Sequence, residues 1–256
     1  MKIEVFDNAD LVAHKAAEII AEEARMAVAK RGRFILAVSG GQTPWKMLSA
    51  LANENIPWEG MHVVQVDERL APAGHPDRNL THLRESLLGH APLRPEQIHA
   101  MRVEEEDIEV AVTGYARTLQ EIAGSPAVID LVHLGLGVDG HTASLVPTDP
   151  VLDINDRDVA LTGVYQGRCR MTLTYPIINR SRRILWMVTG SEKSEMLLRL
   201  RDEDRAIPAG RVVQDRAQVL ADRAAAEKLK NKKGKLFINP QGLISLNGKD
   251  WLCLLI

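Results

Sequence analysis

Aromatic residues, cysteines and net charge are all scarce in this chain, and each shortage closes off a class of function. Phenylalanine, tyrosine and tryptophan make up 4% of its 256 residues, too few for the basic-aromatic platform on which single-stranded nucleic acids stack. The formal charge is only −2 at neutral pH, so no global field favours nucleic acid as a partner. The two cysteines, Cys169 and Cys253, are far apart and form no C-x-x-C pair. A disulfide framework and a cysteine zinc site are therefore not expected, and a reducing compartment is. No apolar run approaches the roughly 20 residues that cross a bilayer. The opening Met1-Lys-Ile-Glu-Val-Phe-Asp7 has acidic residues where a signal peptide has its apolar core, so a cytoplasmic protein without a membrane partner is expected. Asn79-Leu-Thr81 then reads as a chance glycosylation sequon. The Walker pattern G-x-x-x-x-G-K-[ST] is also missing, which argues against nucleoside triphosphate hydrolysis.

What the chain does have is an alternation of strand-like and helix-like segments with no internal repeat. Strands are expected at Ile3 to Phe6, Phe34 to Val38, His62 to Val66, Leu131 to Leu136, Met171 to Leu173 and Ile184 to Val188. Helices are expected at Ala9 to Lys30, Pro44 to Asn53, Leu80 to Leu88, Ile108 to Ile122 and Glu192 to Arg201. Several strands are apolar throughout, as parallel strands covered on both faces are. The alternation predicts an α/β fold: a three-layer, open, mostly parallel sheet with helices on both faces. Residues 1 to 229 form a single domain on this reading.

Ligands of such sheets bind outside the carboxyl ends of the strands, and the polar signals fall there. The segment Asp130-Leu-Val-His-Leu-Gly-Leu-Gly-Val-Asp-Gly-His-Thr-Ala-Ser-Leu-Val-Pro147 empties a strand into a glycine-rich loop carrying Asp139 and His141. Histidine titrates near neutral pH and can act as a general base toward water. A lone histidine in such a loop is as often a turn residue, so the other strand ends decide. Ser39, Gly40, Gly41 and Thr43 follow a second strand and precede a helix, an arrangement that offers backbone N–H groups and a helix dipole to an anion. Pro44 suits the first helical position. Asp67-Glu-Arg69 follows a third strand; alone it reads as a solvated ion pair, but Arg69 has the planar fork that binds oxyanions. Lys193, at the start of a helix where the dipole disfavours cations, is easier to understand beside an anion. Gly135 to Gly140 also matches G-x-G-x-x-G, yet Pro147 and Pro150 interrupt the helix a dinucleotide fold needs there, so no nicotinamide cofactor is expected.

Five ordered motifs now carry a family resemblance. Ser39-Gly-Gly-Gln-Thr-Pro44, Asp67-Glu-Arg69 with His75, Asp77 and Asn79, the Gly135 to Pro147 loop, Arg170-Met-Thr-Leu-Thr174 and Gly190-Ser-Glu-Lys193 together resemble the glucosamine-6-phosphate isomerase/6-phosphogluconolactonase family. The lactonase branch fits better. The resemblance implies metal-free hydrolysis of 6-phospho-D-glucono-1,5-lactone in the oxidative pentose phosphate pathway and a fold shared with glucosamine-6-phosphate deaminase. It implies that His141 and Asp139 carry the chemistry, and that Ser39, Gly40, Gly41, Thr43, Asp67, Arg69, Arg170 and Lys193 bind substrate. In the deaminase branch a glutamate that assists ring opening stands where this chain has Val146, which cannot relay a proton. Ser39 and Ser144 lie in no G-x-S-x-G elbow, so a serine nucleophile is not expected.

The chain departs from the family pattern in places. Arg78 stands within Asp77-Arg-Asn79 where a serine is usual, His133 replaces an apolar strand residue, and Arg211 ends Pro208-Ala-Gly-Arg211. From Lys228 onward the chain carries six lysines against one aspartate, and residues 230 to 256 have no family counterpart. They read as a solvated extension or as an apolar hairpin covering the body or a partner subunit. The sequence leaves monomer and homodimer both open. It also leaves open a protein that binds a sugar phosphate without turning it over, although a pure binder has no need of the base His141.

Overall fold

The computed structural model describes residues 1–229 and the backbone of Leu243–Ile244. In chain order the elements are β1 (Lys2–Phe6), α1 (Ala9–Arg31), β2 (Phe34–Val38), α2 (Gln42–Leu51), β3 (Met61–Gln65), β4 (Asp67–Arg69), α3 (Asn79–Leu83), β5 (Ile98–His99) and α4 (Ile108–Ala123). Then follow β6 (Leu131–Gly135), β7 (Val159–Leu161), β8 (Arg170–Leu173), α5 (Tyr175–Arg180), β9 (Arg183–Val188), α6 (Ser194–Arg201), β10 (Ala217–Asp222) and β11 (Leu243–Ile244). The main sheet has the order β11-β1-β10-β9-β6-β2-β3-β5. Its pairs are parallel except for β11, which runs antiparallel to β1.

The apolar strands split their side chains between two cores, as the two-residue period of a strand requires. Phe34, Leu36 and Val38 of β2 face the layer of α1, α2 and α3. Ile35 and Ala37 face the layer of α4, α5 and α6. Each fully buried Leu or Phe contributes roughly 1.5–3 kcal/mol. The anticipated three-layer architecture is present. Helix α1 starts where Asn8 caps it, its side chain accepting from Leu11 N at 3.0 Å, and stops at Gly32 in a left-handed conformation. Among the described residues, no helix is long and apolar enough to cross a membrane.

The differences from the sequence reading lie at the ends and edges. Helix α2 begins at Gln42, so Pro44 is its third residue and not its first. It remains in the first turn, where a missing N–H costs nothing. The segment expected as one helix from Leu80 to Leu88 is α3 followed by a π-helical turn, Arg84–Leu88. Asp67 to Arg69 is not a strand exit but β4, part of a second, antiparallel sheet ordered β4-β8-β7. Helix α5 and strands β5, β7 and β10 were not anticipated. The extension from residue 230 lies outside the described residues, apart from the backbone of β11.

Candidate functional site

The carboxyl ends of β2, β3, β6 and β9 open into a cleft of about 380 Å³. Ser39, Gly40, Gly41, Thr43, Asp67, Arg69, His141, Arg170 and Lys193 all line it. Asp139 stands behind His141. The residues singled out at four separate strand ends are thus brought to one place, as the topology of an open parallel sheet dictates.

The loop after β6 turns tightly. Gly140 N donates to Gly137 O at 3.1 Å and Gly137 N to His141 O at 2.8 Å. This turn folds Asp139 back onto His141, whose Nδ1 lies 2.5 Å from Asp139 Oδ1. A Cβ on Gly137 would sit 2.1 Å from that same Nδ1, so only glycine lets the pair close. With Nδ1–H donated to the carboxylate, the Nε2 lone pair is the one free to take a proton. Asp139 is pushed up by partial burial, but the charge of His141 and the hydrogen bonds from His141 and Tyr165 together hold it below the usual carboxylate range. It is therefore an anion at neutral pH and fixes the imidazole tautomer.

Cations face this base across the cleft. In the antiparallel ribbon Arg69 of β4 is directly opposite Arg170 of β8. Like charges so paired repel. Arg69 is tied by an NH1 bond to Asp77 O at 2.7 Å. Arg170 is buried, and its Nε has no hydrogen-bond partner among the described residues. Burial lowers the Arg170 guanidinium from its ordinary value, with Asp67 opposing. Asp67, fully buried, is raised by burial against the hydrogen bond from Ser144 and the charges of Arg170 and Arg69. Two arginines at close quarters with one buried carboxylate leave an excess of positive charge suited to an anionic ligand.

The loop between β2 and α2 supplies backbone donors. Gly41, at φ 128°, is the N-cap of α2, a conformation only glycine adopts without strain. Thr43 and Thr189 are joined through their hydroxyls at 2.9 Å, which holds this loop against the turn before Lys193. Ser39 faces inward: its Oγ donates to His133 O at 2.9 Å and its N–H to His133 Nδ1 at 3.3 Å. The Ser39 hydroxyl proton is thus engaged away from the cleft, although the residue lines it. His133 is wholly buried, and burial pushes its imidazole down to about 4, so it accepts as the neutral ring. It is the acceptor that anchors the loop, while its Nε2 is buried with no hydrogen-bond partner among the described residues.

Several residues have roles the sequence did not reveal. Glu68, wholly buried, accepts 2.8 Å hydrogen bonds from the backbone N–H groups of Asn79 and Leu80 and caps α3. It also pairs with Arg78 Nε at 3.2 Å. Arg78 is itself buried and bonded to Ala71 O and Glu104, so it neither touches the cleft nor points to solvent. Arg211 lines a different groove, near Met1 and Asn179. The Ser144 hydroxyl donates to Asp67 Oδ2 at 2.6 Å and is buried, which suits a support and not a nucleophile. Tyr165, in the β7–β8 hairpin, donates to Asp139 Oδ2 at 2.9 Å; a single tyrosine in a polar turn gave no signal of this.

Comparison with known proteins matches the chain to a family. Residues 7–221 fit the model described as glucosamine-6-phosphate isomerases/6-phosphogluconolactonase. The chain is 34% identical over 238 residues to a 6-phosphogluconolactonase of Synechocystis sp., covering 90% of this chain and 98% of that one. It is similar to the crystal structure of 6-phosphogluconolactonase from Thermotoga maritima, with a TM-score of 0.77 and 25% identity over 86% of this chain and 98% of that one. A monomeric glucosamine-6-phosphate deaminase has a TM-score of 0.78 at 19% identity, over 89% of this chain and all of that one (100%). The architecture is common to both chemistries, so the site has to separate them.

Proposed function

The chain belongs to the family of glucosamine-6-phosphate isomerases and 6-phosphogluconolactonases, and from that membership we propose that it is a lactonase hydrolysing 6-phospho-D-glucono-1,5-lactone to 6-phospho-D-gluconate. The observation that carries this reading is the His141–Asp139 pair, its Nε2 free, at the edge of a cationic cleft. His141 takes a proton from water as the water oxygen attacks the lactone carbonyl carbon. The carbonyl oxygen becomes an oxyanion, facing the backbone N–H groups of Gly40 and Gly41 at the start of α2. The tetrahedral intermediate collapses, the bond from carbon to ring oxygen breaks, and the imidazolium returns its proton to that oxygen. Asp139 keeps the imidazole in the required tautomer throughout, and neither a covalent enzyme intermediate nor a cofactor is needed.

Arg69, Arg170 and Lys193 hold the phosphate and draw the dianionic substrate inward. Asp67 offsets part of their repulsion and orients Arg170. Aminosugar isomerisation is the rival chemistry. It calls for an acid beyond the Gly-His pair, and Val146, buried at 4% exposure, occupies that place. A cytoplasmic enzyme of one or two subunits fits this activity.

The test is acid release on adding freshly generated 6-phosphogluconolactone, measured above the spontaneous rate for wild type and His141→Ala. Fast release by wild type that is lost in the variant is expected. No acceleration by wild type would overturn the assignment, and ammonia release from glucosamine 6-phosphate would then support the isomerase.

A further inference from the structure

Asp139 is held from two sides. One carboxylate oxygen lies 2.5 Å from His141 Nδ1, and the other accepts the Tyr165 hydroxyl at 2.9 Å. The Tyr165 ring meets the imidazole edge-on, with centroids 5.5 Å apart and planes at 67°. The guanidinium carbon of Arg170 sits 4.9 Å from the centre of the same ring. One aromatic side chain therefore touches the base, its carboxylate and a cation of the substrate cleft.

We propose that Tyr165 is a positioning residue for the lactone hydrolysis, fixing Asp139 so that the His141 ring presents Nε2 to the water and moderating how firmly Asp139 holds the imidazolium. This rests on the lactonase reading for the reaction, but the hydrogen-bond chain stands on geometry alone. The ring Nδ1 and the backbone N–H of His141 both bond the same oxygen of Asp139, Oδ1, and leave the carboxylate able to swing about it. A further bond to the opposite oxygen removes that freedom, and the edge contact blocks the ring from following. A phenol donates only while protonated, and burial together with the bond to Asp139 raises the Tyr165 hydroxyl above its ordinary value. Its donation also draws charge from Asp139, so the carboxylate grips a protonated imidazole less tightly and releases the neutral base more readily. The other charged groups facing this chain are Arg170 from β8, Asp67 and Arg69 from β4, and Glu192 and Lys193 after β9. A Tyr165→Phe change alters none of them, and it keeps the ring on which Arg170 rests.

Tyr165→Phe is expected to lower kcat about tenfold, the fold-change carried by one hydrogen bond to a charged group. KM should stay within about twofold, and the thermal midpoint within about 2 °C, since a half-exposed hydroxyl contributes little to the fold. The acid limb of kcat against pH should move upward, because Asp139 then binds the imidazolium more strongly. A purely structural tyrosine would leave that limb where it was. Unchanged kcat and acid limb overturn the proposal, and so does a raised KM with kcat preserved. An NMR titration of the histidine rings without substrate separates this failure from failure of the lactonase reading. The His141 signal, identified by its loss in His141→Ala, should titrate at higher pH in Tyr165→Phe than in wild type. Identical titrations refute the positioning role whatever the substrate proves to be.

Discussion

Gly137→Ala tests the catalytic pair without removing either member. A Cβ at residue 137 would lie 2.1 Å from His141 Nδ1, 2.4 Å from Cε1 and 2.6 Å from Asp139 Oδ1, whereas ordinary contact begins at 3.4 Å. The imidazole must therefore retreat by more than about 1 Å, a displacement that can cost about 100-fold in rate. Gly137 is not among the glycines of positive φ, so alanine brings no backbone strain of its own. The His141 side chain is 24% exposed, and the ring can yield toward the open cleft without disturbing the core. The expected outcome is a kcat about two orders of magnitude lower, with a stability change within about 1 kcal/mol. Acid release from the lactone gives the first quantity and urea unfolding the second. Near-wild-type turnover would show that the pair tolerates displacement and that the tight turn is not needed for catalysis. A large loss of stability would show instead that the loop, and not the ring, absorbs the clash.

Asp139→Asn should lower kcat by roughly 10²–10⁴ with little change in KM, because an amide can hold the wrong imidazole tautomer; steady-state acid release checks it, and a predominant rise in KM would count against the orienting role. Glu68→Ala should destabilise the fold by roughly 2–4 kcal/mol, since it leaves the buried N–H groups of Asn79 and Leu80 without their acceptor and removes one of the two carboxylates beside Arg78, and urea unfolding reads the loss; a cost below about 1 kcal/mol would contradict the clamp. Burial takes His133 from 6.5 to about 4, so between those values the folded chain binds fewer protons than the unfolded one. Stability should therefore fall as pH drops through that window, by about 3 kcal/mol in all. His133→Asn, which keeps an acceptor for Ser39 N, should flatten this dependence in unfolding experiments, and an unaltered slope would refute the assignment.

The parts of the site legible in the sequence are those that hang on the parallel sheet. The apolar runs of β2, β6 and β9 are long enough to be recognised, and whatever follows them must lie at one edge. Ser39 to Thr43, Asp139, His141 and Lys193 were placed together for that reason. The second sheet was not legible, because β4 has the sequence Asp-Glu-Arg and β7 only three residues. Nothing in such short or polar segments carries a strand period; pairing with β8 makes them strands. With that sheet unseen, Arg69 and Arg170 could be named from their motifs, but not their opposition across one ribbon. Arg78 illustrates the same limit. A charged residue beside a binding motif reads as a ligand contact or a solvated side chain, and only the fold reveals Glu68 and Glu104 as its partners.

The two sheets contribute different chemistry to the cleft. Strands of the parallel sheet, buried on both faces, give fixed ends from which backbone N–H groups and the His141 turn project. The antiparallel ribbon, open at its hairpin, contributes long side chains: Arg69 and Arg170 in register, and Tyr165 reaching back to Asp139. Setting two guanidiniums opposite one another is unfavourable for the fold, as the lowering of the Arg170 guanidinium by burial and by the charge of Arg69, and its orphaned Nε, indicate. An anion between the arginines, where the proposed reading puts the substrate phosphate, would offset that repulsion and recover electrostatic free energy stored in the folded protein. Because Arg170 also rests on the Tyr165 ring, the cation proposed to hold the phosphate is in contact with the residue proposed to steady the base. On the reading proposed above, capture of the anion and alignment of His141 meet at this one contact between Arg170 and Tyr165.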